Sequence, residues 1–163
     1  IDNGMPLLIM RASAFDLTGT ETLDKLESNK NLKQRLEKIR LDIGPRMNLG
    51  DVEQKSVPKM TLVSPPKDGG LISTRSFIPH VCHSSIGVFA AVTVATASLI
   101  PGTLASEVMD EAVTTNDELF VEHPSGAMGV RIKVEINGEN IVLRESGFLR
   151  TARKIFEGSV FVK

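Results

Sequence analysis

Tryptophan and tyrosine are absent from this chain of 163 residues, and Cys82 is its one cysteine. Without Trp and Tyr the usual flat surfaces for stacking bases or sugar rings are missing, although seven Phe remain. One cysteine cannot close an internal disulfide, which fits a reducing compartment, so a cytoplasmic protein is expected. Charge of one sign is missing as well. Nineteen basic against twenty acidic side chains give a formal charge of -1, so there is no global field to hold nucleic acid or an anionic membrane, and neither partner is expected. No apolar run reaches the roughly twenty residues that a bilayer demands. The longest, Ile86 to Ile100, is broken by Thr93, Thr96 and Ser98 and reads as buried helix. No Walker loop, dinucleotide glycine fingerprint or nucleophile elbow is found. Initiator Met, basic n-region and cleavage site are also lacking at Ile1-Asp2-Asn3, so the expectation is a chain without signal peptide, cut from a longer one.

What is present suits one compact domain over residues 1–163, with 41% apolar and 24% charged residues. Pro6 to Ala12 is a short apolar run and predicts a strand. From Thr20 the chain is rich in helix formers, with Leu32, Leu36, Ile39 and Ile43 at spacings of three and four. This predicts one or two amphipathic helices, broken at Asn29 and stopped by Gly44-Pro45. Met60–Ser64 and Leu71–Ile78 predict a strand hairpin across Pro65 to Gly70. Ser84 to Leu99 predicts a helix apolar nearly all round, which has to be central. Four further strand candidates follow: LFVEHPSG, AMGVRIKVEING, ENIVLRES and GSVFVK, with Phe148 to Phe156 as a helical or extended link. Asn137-Gly138 is the sharpest hairpin signal. The total is about seven strands around one apolar helix, an α+β arrangement.

Candidate chemistry gathers in two places. Arg75, on a strand, is suited to clamp a carboxylate with two N–H groups, and the helix start after His83-Ser84-Ser85 suits a second one. His80, Cys82 and His83 invite zinc, but no second Cys or His pair exists to complete four ligands, so no metal is expected. For Cys82 two readings stay open, a thiol paired with His83 and a small buried apolar residue. The histidines are equally open between lining a site and capping a helix. His123-Pro124-Ser125-Gly126 is either a plain turn or one that aims N–H groups and a hydroxyl into a cleft. Arg150, Arg153 and Lys154 read as a solvated basic face, and Asp51 and Glu53 as surface carboxylates. On these grounds alone the chain is a small-anion-binding α+β domain.

The ordered set IDNGMP, NLGDV, SPPKDGG, TRSFIPHVCH, the apolar helix ending in PGT, EHPSGAMGV and RTARKIFEGSVFV resembles the 2-methylaconitate isomerase (PrpF) family, which includes 4-oxalomesaconate tautomerase-like proteins. The resemblance spans nearly the whole chain. It implies a variant of the diaminopimelate epimerase fold, in which two similar α+β domains, each a curved and mostly antiparallel sheet around a central helix, face each other across a cleft. The chain resembles the second, C-terminal domain. The partner it implies is then the N-terminal domain of the same protein, whose lysine and cysteine region is tied to proton transfer, and a homodimer stays open.

The resemblance implies cofactor-independent isomerisation of small unsaturated tricarboxylic acids such as methylaconitate, aconitate or oxalomesaconate. A base would remove a proton made acidic by a carboxylate-conjugated double bond, and an acid would return it at the far carbon. The expected substrate-binding groups are Arg75, His83, Ser84, Ser85, Asn3, Ser125 and Gly126, with His83 and Cys82 as catalytic candidates; His83 matches a family histidine. Departures are Met5, in a turn where the epimerase branch has Gly-Asn-Pro, Gly87, where that branch has its second catalytic cysteine, and Phe89-Ala90, where relatives keep Thr-Gly. They exclude a two-thiol mechanism from this half. They also motivate the alternative, a catalytically impaired accessory protein partnering an aconitase-like dehydratase.

Overall fold

The computed structural model describes residues 1–116, 118–138 and 140–161. Three α-helices are α1 (Leu23–Ser28), α2 (Lys30–Arg46) and α3 (Val88–Ser98). The strands are β1 (Leu7–Arg11), β2 (Lys59–Ser64), β3 (Ile72–Ile78), β4 (Val81–Cys82), β5 (Leu119–His123), β6 (Gly126–Asn137) and β7 (Asn140–Phe148). They form one mixed sheet in the order β1-β2-β3-β5-β6-β7, with β4 paired to β3. β1 runs parallel to β2 and β3 parallel to β5, while the other pairs are antiparallel.

The sheet curls because both of its ends reach the same helix: α3 contacts β1 at one edge and β7 at the other. Every residue of α3 from Ala90 to Ser98 is buried. A helix with hydroxyls in that position needs partners for them. Thr96 Oγ1 donates to Val92 O at 2.8 Å, Ser98 Oγ to Val94 O at 3.0 Å, and Thr93 Oγ1 to Asn3 O at 3.1 Å. Small Ala and Val side chains then let β1, β5 and β6 close on the helix, giving a core that includes Ile72, Val94, Val121 and Val130. α1 and α2 cover the opposite face, where Leu26, Leu32 and Leu36 pack on Met60, Leu62 and Phe77.

Several expectations are corrected here. Gly44-Pro45 does not stop α2, which continues to Arg46. Gly44 belongs to the buried stripe Leu32, Leu36, Arg40, Gly44, and a Cβ there would come within 2.5 Å of Val52. Its smallness serves packing rather than termination. The central helix starts at Val88, four residues later than expected, because the chain bends at Ser84 and Ser85 and is extended at Gly87. Gly158–Phe161 form no strand and lie exposed; Val162 and Lys163, the end of that run, lie outside the described residues. The seventh strand is the two-residue β4 instead. The break at Asn29 is observed, with its side chain accepting from Leu32 N at 2.9 Å. The β6–β7 hairpin also forms as expected, closing at the Asn137–Asn140 pair with Gly138 at φ +64°; Glu139 lies outside the described residues.

Candidate functional site

β3 is paired along one edge by β2 from Ser73 to Phe77, but its other edge is shared: β5 takes Ile72 and Ser73, β4 takes Phe77 and Ile78. Between them the ladder breaks at Thr74 and Arg75, with Ser76 O still accepting from His83 N at 2.7 Å, and a cleft of about 310 Å³ forms beside the gap. Thr22, Lys67, Arg75, Glu122, His123 and Gly126 are among its lining residues. A strand that loses its neighbour in mid-course leaves backbone and side-chain polar groups to be satisfied in other ways, which makes such a gap a natural place for polar chemistry.

Arg75 sits in the wall with 8% of its surface exposed. Its Nε donates to Glu21 O at 3.1 Å and its Nη1 to Thr74 O at 2.8 Å. Both partners are carbonyls. Among the described residues no carboxylate forms an ion pair with Arg75, so the charge is held in place without being neutralised by contact. Burial lowers its pKa, and Cys82, Glu21 and Glu122 pull the other way; a guanidinium keeps its proton through such a shift. Two of the five N–H groups are used by the carbonyls, which leaves Nη2 and one N–H of Nη1 for a ligand.

A chain of hydrogen bonds runs along the rim. Ser85 N donates to His83 Nδ1 at 3.0 Å, Ser85 Oγ lies 3.2 Å from His123 Nε2, and Ser125 N and Oγ both lie 3.3 Å from His123 Nδ1. A backbone N–H can only donate, so His123 accepts at Nδ1 and its neutral form carries the proton on Nε2, toward Ser85. Ser85 is thereby an acceptor from the imidazole and is not activated by it as a nucleophile; its own O–H stays free to donate. Burial, then the nearby His83, then Arg75 lower the His123 pKa. His123 lines the cleft, while His83 and Ser85 are joined to it through this bond.

The structure thus brings together Arg75, His83, Ser85, Ser125 and Gly126. Ser84 is exposed on the bent segment beside them. Asn3 is elsewhere: its Nδ2 donates to Thr96 Oγ1 at 2.9 Å and Ser146 Oγ at 3.2 Å, fixing the N-terminal turn to the flank of α3. Cys82 is buried in the apolar cluster under α1 and α2, and burial followed by the Glu27 carboxylate pushes its thiol up to about 11. That is the environment of an inert thiol. His80 Nδ1 lies 3.8 Å from the Glu37 carboxylate. Among the described residues no group of His, Cys, Asp and Glu could hold a metal ion. Asp51 caps its own turn through Glu53 N at 2.9 Å, outside the cleft. Lys154 pairs with Glu157 on the exposed tail that carries Arg150 and Arg153. No helix among the described residues is long and apolar enough to cross a membrane.

Sequence reasoning missed Glu21, Glu122 and the linking role of His123. Glu122 carried a signal, a carboxylate in a strand directly after the apolar run Leu119-Phe120-Val121, since buried carboxylates need donors.

The sheet curled around one apolar helix, with a polar cleft at the open edge of β3, defines a mixed α+β domain of a recognisable kind. The crystal structure of a methylitaconate-delta-isomerase has the same fold, with a TM-score of 0.75 over 88% of this chain and 43% of that one, at 21% identity. Residues 1–163 match the family described as PrpF protein, and the chain belongs to that family. It is 51% identical over 162 residues to a 4-oxalomesaconate tautomerase of Pseudomonas putida and, over the same length, 51% identical to a (4E)-oxalomesaconate Delta-isomerase of Novosphingobium sp.. In each case 99% of this chain is covered and 44% of the relative, so the chain spans less than half the length of these relatives.

Proposed function

We propose that the protein containing this chain is an isomerase of small unsaturated tricarboxylic acids, and that residues 1–163 are the C-terminal domain of a two-domain, diaminopimelate epimerase-like enzyme. The observation that carries this reading is Arg75, a buried guanidinium in a polar cleft whose contacts are carbonyls only. A cation so placed has already lost most of its water, so an arriving carboxylate gains a charge-assisted bond at small further cost. The names of the relatives support the substrate class.

In the reaction so inferred, a proton beside a carboxylate-conjugated double bond leaves and another is added at the far carbon. The substrate's own conjugation makes that proton acidic, so no organic cofactor or metal is invoked. Negative charge accumulates on the substrate as the proton leaves, and Arg75, the Ser85 hydroxyl and the Ser125-Gly126 turn are the donors of this chain that would meet it. Cys82 is buried and protonated and the neutral His123 has both nitrogens engaged, so proton transfer is assigned to the N-terminal domain. His83, whose Nδ1 accepts from Ser85 N, is the remaining candidate of this chain. The cleft would be closed by that domain, and a homodimer is compatible with it.

Assay of the full-length protein with 4-oxalomesaconate tests the reading. Turnover that Arg75→Ala reduces is the expected result. Tricarboxylate binding without turnover on any of these acids would favour the accessory-protein alternative, and no binding at all would overturn both.

A further inference from the structure

Counted by formal charge, the cleft looks hostile to an anion, since Glu21, Asp68 and Glu122 line it against Lys67 and Arg75. The positions of the oxygens reverse that impression. The Glu21 carboxylate accepts from Thr18 N at 2.7 Å, Thr18 Oγ1 at 2.8 Å and Gly19 N at 2.9 Å. Burial raises its pKa, but these hydrogen bonds outweigh it and the net shift is downward. Glu122, 5% exposed, is engaged more fully: Oε1 accepts from Asp68 N at 2.7 Å and Gly70 N at 2.9 Å, and Oε2 accepts from Lys67 N at 2.8 Å. Two of the three carboxylates therefore spend their charge on backbone amides, and Asp68 alone is left exposed at the mouth. Among the described residues neither Lys67 nor Arg75 has a carboxylate within ion-pair distance, and Arg75 meets only the carbonyls of Glu21 and Thr74.

The Glu122 contacts also explain why the loop from Ser64 to Gly70 has one shape. Three amides converge on one carboxylate, and Gly70 approaches so closely that a Cβ would lie 2.7 Å from both Glu122 Cγ and Phe120 O. Gly69 turns the chain at φ +81°. Glu122 is on β5, and its neighbour in the parallel pairing is Ser73 on β3, two residues from Arg75. The loop is thus fastened to the strand next to the one that presents the guanidinium. A lysine on a free loop would have to be ordered on binding, which costs conformational entropy; here the backbone of Lys67 is already fixed beside Arg75.

We propose that Lys67 is a second carboxylate-binding residue of this cleft and that Glu122 is the positioning residue that holds it there, so that the pair sets a preference for tricarboxylic over dicarboxylic acids. Arg75 takes one carboxylate through its remaining N–H groups, and the Lys67 ammonium takes another as a point charge. This rests on the reading of the cleft as a polycarboxylate site.

The experiment measures 4-oxalomesaconate turnover by the full-length protein, together with calorimetric binding of tricarballylate, which has three carboxylates, and citraconate, which has two. Lys67→Ala should raise KM and weaken tricarballylate about tenfold, the loss of one charged hydrogen bond. It should change kcat by less than about twofold and citraconate affinity far less than tricarballylate affinity. Lys67→Arg should keep most of the preference. Glu122→Gln should shift the preference in the same direction, and adding it to Lys67→Ala should cost little more, because both act through one ammonium. Lys67 is exposed, so its variants test the idea even where Glu122→Gln fails to fold. Equal weakening of both acids by Lys67→Ala, or no weakening, overturns the proposal, and if Arg75→Ala weakens both in that case the polycarboxylate reading stands. A wild-type protein that binds neither acid overturns the two together.

Discussion

Ser85 Oγ lies 3.2 Å from His123 Nε2, so the segment entering the central helix is tied to the turn between β5 and β6 across the mouth of the cleft. Nε2–H donates to Ser85 Oγ, and the Ser125 N–H on Nδ1 selects the neutral form, because protonation of Nδ1 would break that second bond. The pKa of His123 is lowered by burial, by His83 and by Arg75. A histidine whose folded pKa lies below its unfolded value of about 6.5 stabilises the fold above that pH, and loses its contribution as pH falls through the folded pKa. Denaturation of the full-length protein should therefore show stability falling below about pH 6.5, before the carboxylates protonate. Glu21, Glu27 and Glu37, all shifted below their ordinary 4.5, act in the same direction only at more acid pH. His123→Gln should flatten the upper part of the profile. A wild-type profile level from pH 7 to pH 5 would contradict the assignment.

Arg75→Ala should weaken tricarballylate binding by roughly 1.5 to 3 kcal/mol, the range for a hydrogen bond to a charged group. Arg75→Lys should recover only part, because an ammonium cannot hold Glu21 O and Thr74 O while still presenting a fork to the ligand. Arg153→Ala, on the exposed tail, should change binding little. Calorimetric titration gives the ordering, and equal affinities for wild type and Arg75→Ala would remove Arg75 from the site.

The apolar central helix, the hairpins and the strand placement of Arg75 were legible because each is a local pattern: a run of small apolar residues, Asn-Gly between strands, an isolated cation within a strand. What was illegible depends on pairs far apart in the chain. Glu122 and the amides at Lys67, Asp68 and Gly70 are separated by more than fifty positions, and nothing in either segment announces the other. Asn3 was expected at the site from the resemblance, beside a turn that binds a carboxylate in the epimerase branch, but its side chain is taken by Thr96 and Ser146, which only the curl of the sheet brings within reach. Gly44-Pro45 had a standard meaning as a helix stop. The helix runs one residue past it, to Arg46, and Gly44 is also kept small by Val52.

Cys82 should react slowly in the folded protein. With its thiol pushed up to about 11, only about one in a thousand is ionised at pH 8, and 5% of the residue is exposed. Iodoacetamide labelling followed by peptide mass spectrometry should find Cys82 unmodified in native protein and modified in denaturant, and Cys82→Ala should retain turnover. Rapid native labelling, or loss of kcat in a folded Cys82→Ala variant, would return Cys82 to the list of catalytic candidates.

Arg40 carries the largest stability prediction. It is fully buried, with Nη1 donating to Val52 O at 2.7 Å and to Lys55 O and Val57 O at 2.9 Å, while Nε and Nη2 hold the Glu37 carboxylate at 2.7 and 2.8 Å. One side chain thereby stitches the loop between α2 and β2 onto the helix. The Arg40 bond is the main cause of the lowered Glu37 pKa, with burial opposing it. Arg40→Ala removes the two N–H groups of Nη1 that three carbonyls share, each bond worth about 1 kcal/mol net, so a loss of about 2 to 3 kcal/mol is expected. Glu37 adds little to that cost, because it keeps 23% side-chain exposure and can regain water. Arg40→Lys should fall between, since an ammonium lacks the reach to serve loop and carboxylate together. Hydrogen exchange in the full-length protein should localise the effect to residues 47–58, with the amides around the cleft less affected. Unchanged melting temperature and unchanged exchange in that loop for Arg40→Ala would show that the loop is held by its apolar contacts, Val52 against Gly44 foremost, and not by the guanidinium.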